Sequence, residues 1–222
     1  MDKKDEILKS LSFWDKLSDS EKEAARLNSY IVSYKHGAMV HSTENDCLGM
    51  LFIISGRLRV YLLSDEGREI TLFYIRENEP CVLSASCVIK EITFDTQFSA
   101  DEDSEILIIS ASTFAALCSA NIYVRCFMYE LTTKRFSTVM WVMQQILFMG
   151  FDKRLSLFLY NECEQSGSYD LTLTHDAIAK SIGSAREVVT RMLHRFASEG
   201  LCELKRGHII IKDIDGLKKL SS

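Results

Sequence analysis

Thr174-His175-Asp176-Ala177-Ile178-Ala179-Lys180-Ser181-Ile182-Gly183-Ser184-Ala185-Arg186-Glu187-Val188-Val189-Thr190-Arg191-Met192-Leu193-His194-Arg195 has the pattern of two short helices joined by a tight turn. Thr174 is a good N-cap for the first helix, because its hydroxyl can accept from an orphan backbone N–H. Ile178 and Ile182 stand four apart and share one face. Gly183 falls where the turn needs a positive φ. Ser184 is expected to cap the second helix, with Glu187 three residues on completing a capping box. In that helix Val189, Met192, Leu193 and Phe196 recur at helical spacing and should face inward. Arg186, Glu187, Thr190, Arg191 and His194 then share the outer face.

That face could be no more than a capping box and a few solvated charges. The segment C-terminal to it argues for more. After Gly200, Leu201-Cys202-Glu203-Leu204 and His208-Ile209-Ile210-Ile211 flank the basic turn Lys205-Arg206-Gly207, which is a hairpin pattern. A helix-turn-helix followed by a β-wing suits a DNA major groove, where Arg pairs with guanine O6/N7 and Glu accepts from cytosine N4.

Residues 172–212 resemble the winged helix-turn-helix of the bacterial Crp–Fnr transcription regulators, and Gly183 to Arg191 is similar to that family's recognition helix. The resemblance implies that Arg186, Glu187 and Arg191 read a GTGA-type half-site and that Thr174 or His175 meets a phosphate. With Ser184 and Thr190 beside them, Thr174, His175, Ser184, Arg186, Glu187, Thr190 and Arg191 form the expected DNA-binding set.

The chain has 222 residues, 47% apolar and 26% charged, enough for a sizeable core in one large or two modest domains. No stretch reaches the ~18–20 uncharged apolar residues of a membrane span. Met1-Asp2-Lys3-Lys4-Asp5-Glu6 lacks the apolar run of a secretion signal, which predicts a cytoplasmic protein. The net charge of −5 argues against a nucleic-acid binder until its distribution is considered. Residues 174–212 carry seven Lys and Arg against four Asp and Glu, so the positive charge lies where phosphates would be met.

Upstream, residues 3–29 are expected to be helical, with Ile7, Leu8, Leu11, Phe13 and Trp14 as an apolar stripe and a second helix starting at Ser18. From Tyr30 the period changes. Ile31 to Tyr34, Met50 to Ile54, Leu58 to Leu62 and Ile70 to Ile75 are read as strands, with turns at Lys35–Gly37 and Asp65–Glu69. Further strands are expected at 92–99 and 105–110. Short strands at this spacing indicate an antiparallel β-roll, jelly-roll-like. The run from Gly37 through Phe52-Ile53-Ile54-Ser55-Gly56-Arg57-Leu58 to Asp65-Glu66-Gly67 also resembles the cyclic-nucleotide-binding-type roll of Crp–Fnr sensor domains.

Residues 120–149 carry the longest helical pattern. Val124, Phe127, Met128, Leu131, Val139, Met143, Ile146 and Leu147 make a near-continuous apolar face. A rod of that length is expected to pack against its twin in a dimer; burial within one chain is the alternative. Gly150 is a natural break, a helix is expected from Phe151 to about Glu164, and Gly167–Asp170 is expected to be a loop.

In cAMP-binding members of the family, an Arg-Ser-Ala step cradles the cyclic phosphate and a Thr-Ser pair on the dimer helix holds adenine. Here no Arg precedes Ser99-Ala100, and Val139-Met140 stand in place of Thr-Ser. An effector other than cAMP is therefore expected. Glu79, Cys81, Ser84, Ser86, Cys87, Val139 and Met140 are its candidate contacts.

Seven cysteines stand at 47, 81, 87, 118, 126, 163 and 202. Cys81 and Cys87 could join two of Cys47, Cys118 and Cys126 around an iron–sulfur cluster, form a redox disulfide, or remain buried thiols. His36 and His41 could likewise ligate a metal or haem, or be ordinary turn histidines.

The expected fold is α+β: an effector-sensing β-roll with N-terminal helices over 1–119, a dimerisation helix over 120–149 and a winged helix-turn-helix over 150–222. The expected protein is not an enzyme. It is a homodimeric regulator whose partners are double-stranded DNA, RNA polymerase and an unknown small-molecule or redox effector, with no membrane and no assigned cofactor. A redox or gas sensor of the same family using Cys81/Cys87 or a haem is the alternative, and a jelly-roll small-molecule protein or enzyme such as a cupin is a third. A cupin would need a His-x-His pair, which these strands lack.

Overall fold

The computed structural model describes residues 3–42, 47–83 and 96–221. Two compact units emerge: residues 1–62 with 72–139, and residues 63–71 with 140–222.

The N-terminal unit starts with α1 (Lys3–Ser10), a single 3-10 turn (Trp14–Lys16) and α2 (Asp19–Leu27). The second helix starts where the sequence places it, and Ser18 caps it: its hydroxyl accepts from Glu21 N, and the Glu21 carboxylate accepts from Ser18 N. Eight strands follow: β1 (Ser29–Tyr34), β2 (Met39–His41), β3 (Gly49–Ser55), β4 (Arg57–Leu63), β5 (Glu69–Arg76), β6 (Pro80–Cys81), β7 (Gln97–Ala100) and β8 (Ser104–Ser110). They form two antiparallel four-stranded sheets, ordered β1-β8-β3-β6 and β2-β7-β4-β5. Pro80 sits on the edge strand β6, where its missing N–H costs no ladder bond. Residues 92–95 of the expected strand at 92–99 lie outside the described residues.

Side-chain alternation divides the core in two. From β3 and β8, Leu51, Ile53, Ile106 and Ile108 point between the sheets, where they meet Leu58, Val60, Phe73, Ile75 and Phe98. Met50, Phe52, Leu107 and Ile109 point the other way, onto Leu8, Phe13, Trp14, Phe114 and Leu117. A strand covered on both faces reads as an unbroken apolar run, which is why Met50–Ile54 shows no period. The second face is covered partly by α3 (Ala111–Ala120), a helix that the sequence pattern does not disclose.

Next comes α4 (Ile122–Phe148), 27 residues and about 40 Å long at 1.5 Å per residue. Its apolar residues serve two faces, not the single one the sequence suggests. Val124 and Met128 are buried in their own subunit, with Phe127 and Leu131 beside them, and the Phe13 and Phe127 rings meet edge-on at 4.9 Å. A second row stays exposed: Ile122, Tyr129, Phe136 and Met143 at seven-residue intervals, with Met140 and Leu147 each four residues after a member of it. Tyr129, Phe136 and Leu147 are 57%, 64% and 65% exposed.

The C-terminal unit contains α5 (Phe151–Ser166), β9 (Asp170–Leu171), α6 (His175–Ile182), α7 (Arg186–Ser198), β10 (Cys202–Lys205), β11 (His208–Ile211) and α8 (Ile214–Ser221). Leu155, Leu159, Ile178, Val189, Leu193, Phe196, Ile209 and Leu217 make its core. The expected hairpin forms, with Cys202 opposite Ile211 and Lys205 opposite His208. The segment expected as a loop at 167–170 ends differently: Asp170 and Leu171 form β9 and pair with Ile210 and Ile209, giving a three-stranded sheet. Two residues are too few to show a period, so only the partner strand reveals them.

Candidate nucleic-acid interface

Thr174 is extended at φ −85°, and its hydroxyl accepts from Ala177 N at 3.1 Å, the expected N-cap of α6. Gly183 closes α6 in the left-handed region at φ +64°. Ser184 does not cap α7. The N-cap is Ala185, which makes no side-chain bond, and α7 begins at Arg186. The physical reason lies in the preceding turn: Ser184 N donates to Ala179 O at 2.9 Å, so Ser184 closes the end of α6 instead.

Val189, Leu193 and Phe196 are fully buried and Met192 partly so, which locks α7 against α6 and α5. Rotation along α7 then leaves Arg186, Glu187, Arg191 and His194 exposed on its outer side. Arg186 and Glu187 occupy the first turn of α7, where Glu also suits the helix dipole. Arg186, Glu187 and Arg191 make no ion pair among the described residues. Nearby cations are engaged: Arg195 with Glu199 at 2.7 Å, and Lys180 with Glu69 at 3.2 Å. The charged side chains on the outer side of α7 are thus left available.

Thr190 and His175 join the two helices. Thr190 Oγ1 donates to Arg186 O at 2.9 Å and lies 2.9 Å from His175 Nδ1. Partial burial, His194 and Arg186 all hold the His175 pKa below its usual value. In the wing, His208 Nδ1 lies 2.9 Å from Asp170, Lys212 pairs with Glu203 at 2.8 Å, and Arg206 is exposed at the tip.

The expected effector contacts fare unevenly. Ser84, Ser86 and Cys87 lie outside the described residues. Glu79 faces Arg135 at 3.3 Å, Val139 packs against the core between the sheets, and Met140 is exposed. Cys81 is a thiol, 1% exposed, so the disulfide considered between Cys81 and Cys87 is not formed. Cys47, in contrast, is disulfide-bonded. Burial raises the thiols of Cys118 and Cys202 to about 11. Among the described residues no three His, Cys, Asp or Glu side chains gather to hold a metal. His36 bonds Asp101 O through Nδ1 at 2.7 Å, whereas His41 is buried against Phe98 with Nδ1 unpartnered among the described residues.

Arg135 is a buried cation of α4 that sequence reasoning missed. It is 7% exposed, its guanidinium lies 4.6 Å from the Phe73 ring centre, and its Nε has no hydrogen-bond partner among the described residues. The signal was present: Arg135 is the one cation in the helical row Val124, Met128, Leu131, Arg135, Val139.

Two family descriptions match the chain: cyclic nucleotide-binding domain over residues 31–121 and Crp-like helix-turn-helix domain over residues 153–220. A solved transcriptional regulator of the crp/fnr family from Eubacterium rectale is 39% identical, over 95% of this chain and 98% of that one, with a TM-score of 0.91. The chain belongs to the Crp/Fnr family of DNA-binding transcription regulators. Transcriptional regulator SdrP from Thermus thermophilus is 40% identical over 58 residues, which span 26% of this chain and 29% of SdrP. The c-di-GMP responsive global regulator CLP of Xanthomonas campestris shares the fold at 18% identity and a TM-score of 0.70, over 88% of this chain and 100% of CLP. No described helix is long and apolar enough to cross a membrane.

Proposed function

We propose that this chain is a cytoplasmic, homodimeric regulator, not an enzyme, that reads a palindromic GTGA-type operator. Arg186, Glu187 and Arg191 contact bases, while Thr174, His175, Ser184 and Thr190 flank them at the phosphates. The observation that carries this reading is the outer face of α7, where two exposed Arg and one exposed Glu flank its first turns with no ion pair among the described residues. The roll up to residue 119 senses, 120–149 dimerises, and 150–222 binds DNA. The exposed row on α4 supports the dimer: its seven-residue repeat is that of a two-helix seam. Two-fold symmetry then places half-sites one helical turn apart. RNA polymerase is the partner that transcription control requires.

The effector is other than cAMP, since residue 139 is a half-buried Val where the adenine-binding pair would supply Thr. An effector binding the roll shifts the population between DNA-competent and incompetent dimers. Titrating the protein against a palindromic GTGA duplex and a scrambled duplex tests the reading; equal affinity for both would remove the base-reading roles. The disulfide at Cys47 favours a second reading, redox control of the same dimer. Affinities that are equal with and without dithiothreitol would dismiss it.

A further inference from the structure

His175 is held by a short relay with a defined direction. Thr190 Oγ1 spends its proton on Arg186 O, at 2.9 Å. Its oxygen can therefore only accept from the imidazole, and His175 Nδ1, 2.9 Å away, must be the donor. The neutral ring is thus the Nδ1–H tautomer, and Nε2 carries the lone pair, with no partner among the described residues. His175 is also the first residue of α6, beside the N-cap Thr174, at the helix end where anions bind.

The charged groups that bear on the ring are Arg186 and His194 from α7; on its own helix the neighbouring Asp176 is turned to Lys180, with which it pairs at 3.9 Å. Both α7 groups oppose a positive imidazole, as burial does, so the free protein keeps His175 mostly neutral at pH 7. A neutral Nε2 turns a lone pair toward a phosphate oxygen, which is also an acceptor, and the contact fails. A protonated Nε2 donates to it.

We propose that His175 makes duplex binding proton-linked: each subunit takes up a proton at His175 Nε2 as it docks on a backbone phosphate. This rests on the reading of the α6–α7 face as the DNA surface. The ligand class is a phosphodiester, and base sequence has no part in this contact.

The test is a fluorescence-anisotropy titration of the full-length protein against a palindromic GTGA duplex, from pH 5.5 to 8.5. Wild type should bind several-fold more tightly at pH 6 than at pH 8. The slope of log affinity against log salt should steepen by about 2 per dimer at low pH, one more phosphate neutralised per subunit at about 0.9 each. His175→Gln should bind like wild type at pH 8 and lose the pH dependence; His175→Arg should bind at pH 8 as wild type does at pH 6; His194→Gln should keep the dependence. A duplex bound tightly with no pH dependence, or a dependence that vanishes in His194→Gln and survives in His175→Gln, overturns the proposal and leaves DNA binding standing. No binding at any pH overturns the DNA-surface reading itself.

Discussion

Arg135 Nη2 lies 3.3 Å from a Glu79 carboxylate oxygen, tying α4 to the segment between β5 and β6. The cation is nearly buried and its other close neighbour is the Phe73 ring, so Glu79 supplies the charge that compensates it. Removing one partner of such a pair costs more than replacing both. Glu79→Gln should destabilise the N-terminal unit by about 1–3 kcal/mol, because Glu79 is itself a third exposed. Arg135→Met, which removes the charge and keeps much of the volume, should cost less. Denaturant unfolding of the two variants decides: a larger loss for Arg135→Met would show that the guanidinium, and not its compensation, holds the helix.

The exposed row on α4 predicts a cross-link. In a parallel seam, equivalent residues of the two helices meet across the two-fold axis. Cys126 is an exposed thiol four residues after Ile122 and three before Tyr129, on the row itself. Mild oxidation should give a reducible dimer that Cys126→Ser abolishes. Phe136→Glu should place two like charges at the seam and yield monomers by light scattering. A cross-link with Cys126→Ser unchanged would move the seam elsewhere.

What the sequence discloses depends on length and periodicity. The helix-turn-helix is legible because Thr174, Gly183 and the spacing Val189, Leu193, Phe196 each carry a local physical demand, and all three are met. Ser18 and Ser184 sit in the same capping-box spacing, yet only Ser18 caps. The difference is that Ser184 N already closes α6, a contact the spacing of Ser184 and Glu187 does not encode. Likewise β9 exists through its partner strand, and the two faces of α4 separate only once the roll has covered Val124 and Met128.

Arg186 stands exposed in the first turn of α7, unhindered by any ion pair among the described residues. Arg186→Ala should cost about 1–3 kcal/mol of binding on the GTGA duplex and relax preference at one guanine, with little change on scrambled DNA. Glu187→Gln should relax the preference at the paired cytosine position in the same way. Both effects are read from competition titrations with single-substituted duplexes. An equal loss on every duplex would make Arg186 a phosphate contact.

His41 links stability to pH. It is buried beside Phe98, its Nδ1 finds no partner among the described residues, and burial holds its pKa below 6.5. The unfolded chain therefore binds a proton at His41 before the folded chain does, and stability must fall as pH drops below about 6.5, continuing until the folded ring also titrates. His175, lowered as well, adds to the same trend, so the wild-type curve alone does not isolate His41. His41→Phe keeps an aromatic ring against Phe98 and removes the titration. The melting temperature of wild type should fall further between pH 7.5 and 5.5 than that of His41→Phe, and the gap is the contribution of His41. Parallel curves would mean that the buried ring is already protonated in the fold or that its environment opens before it titrates.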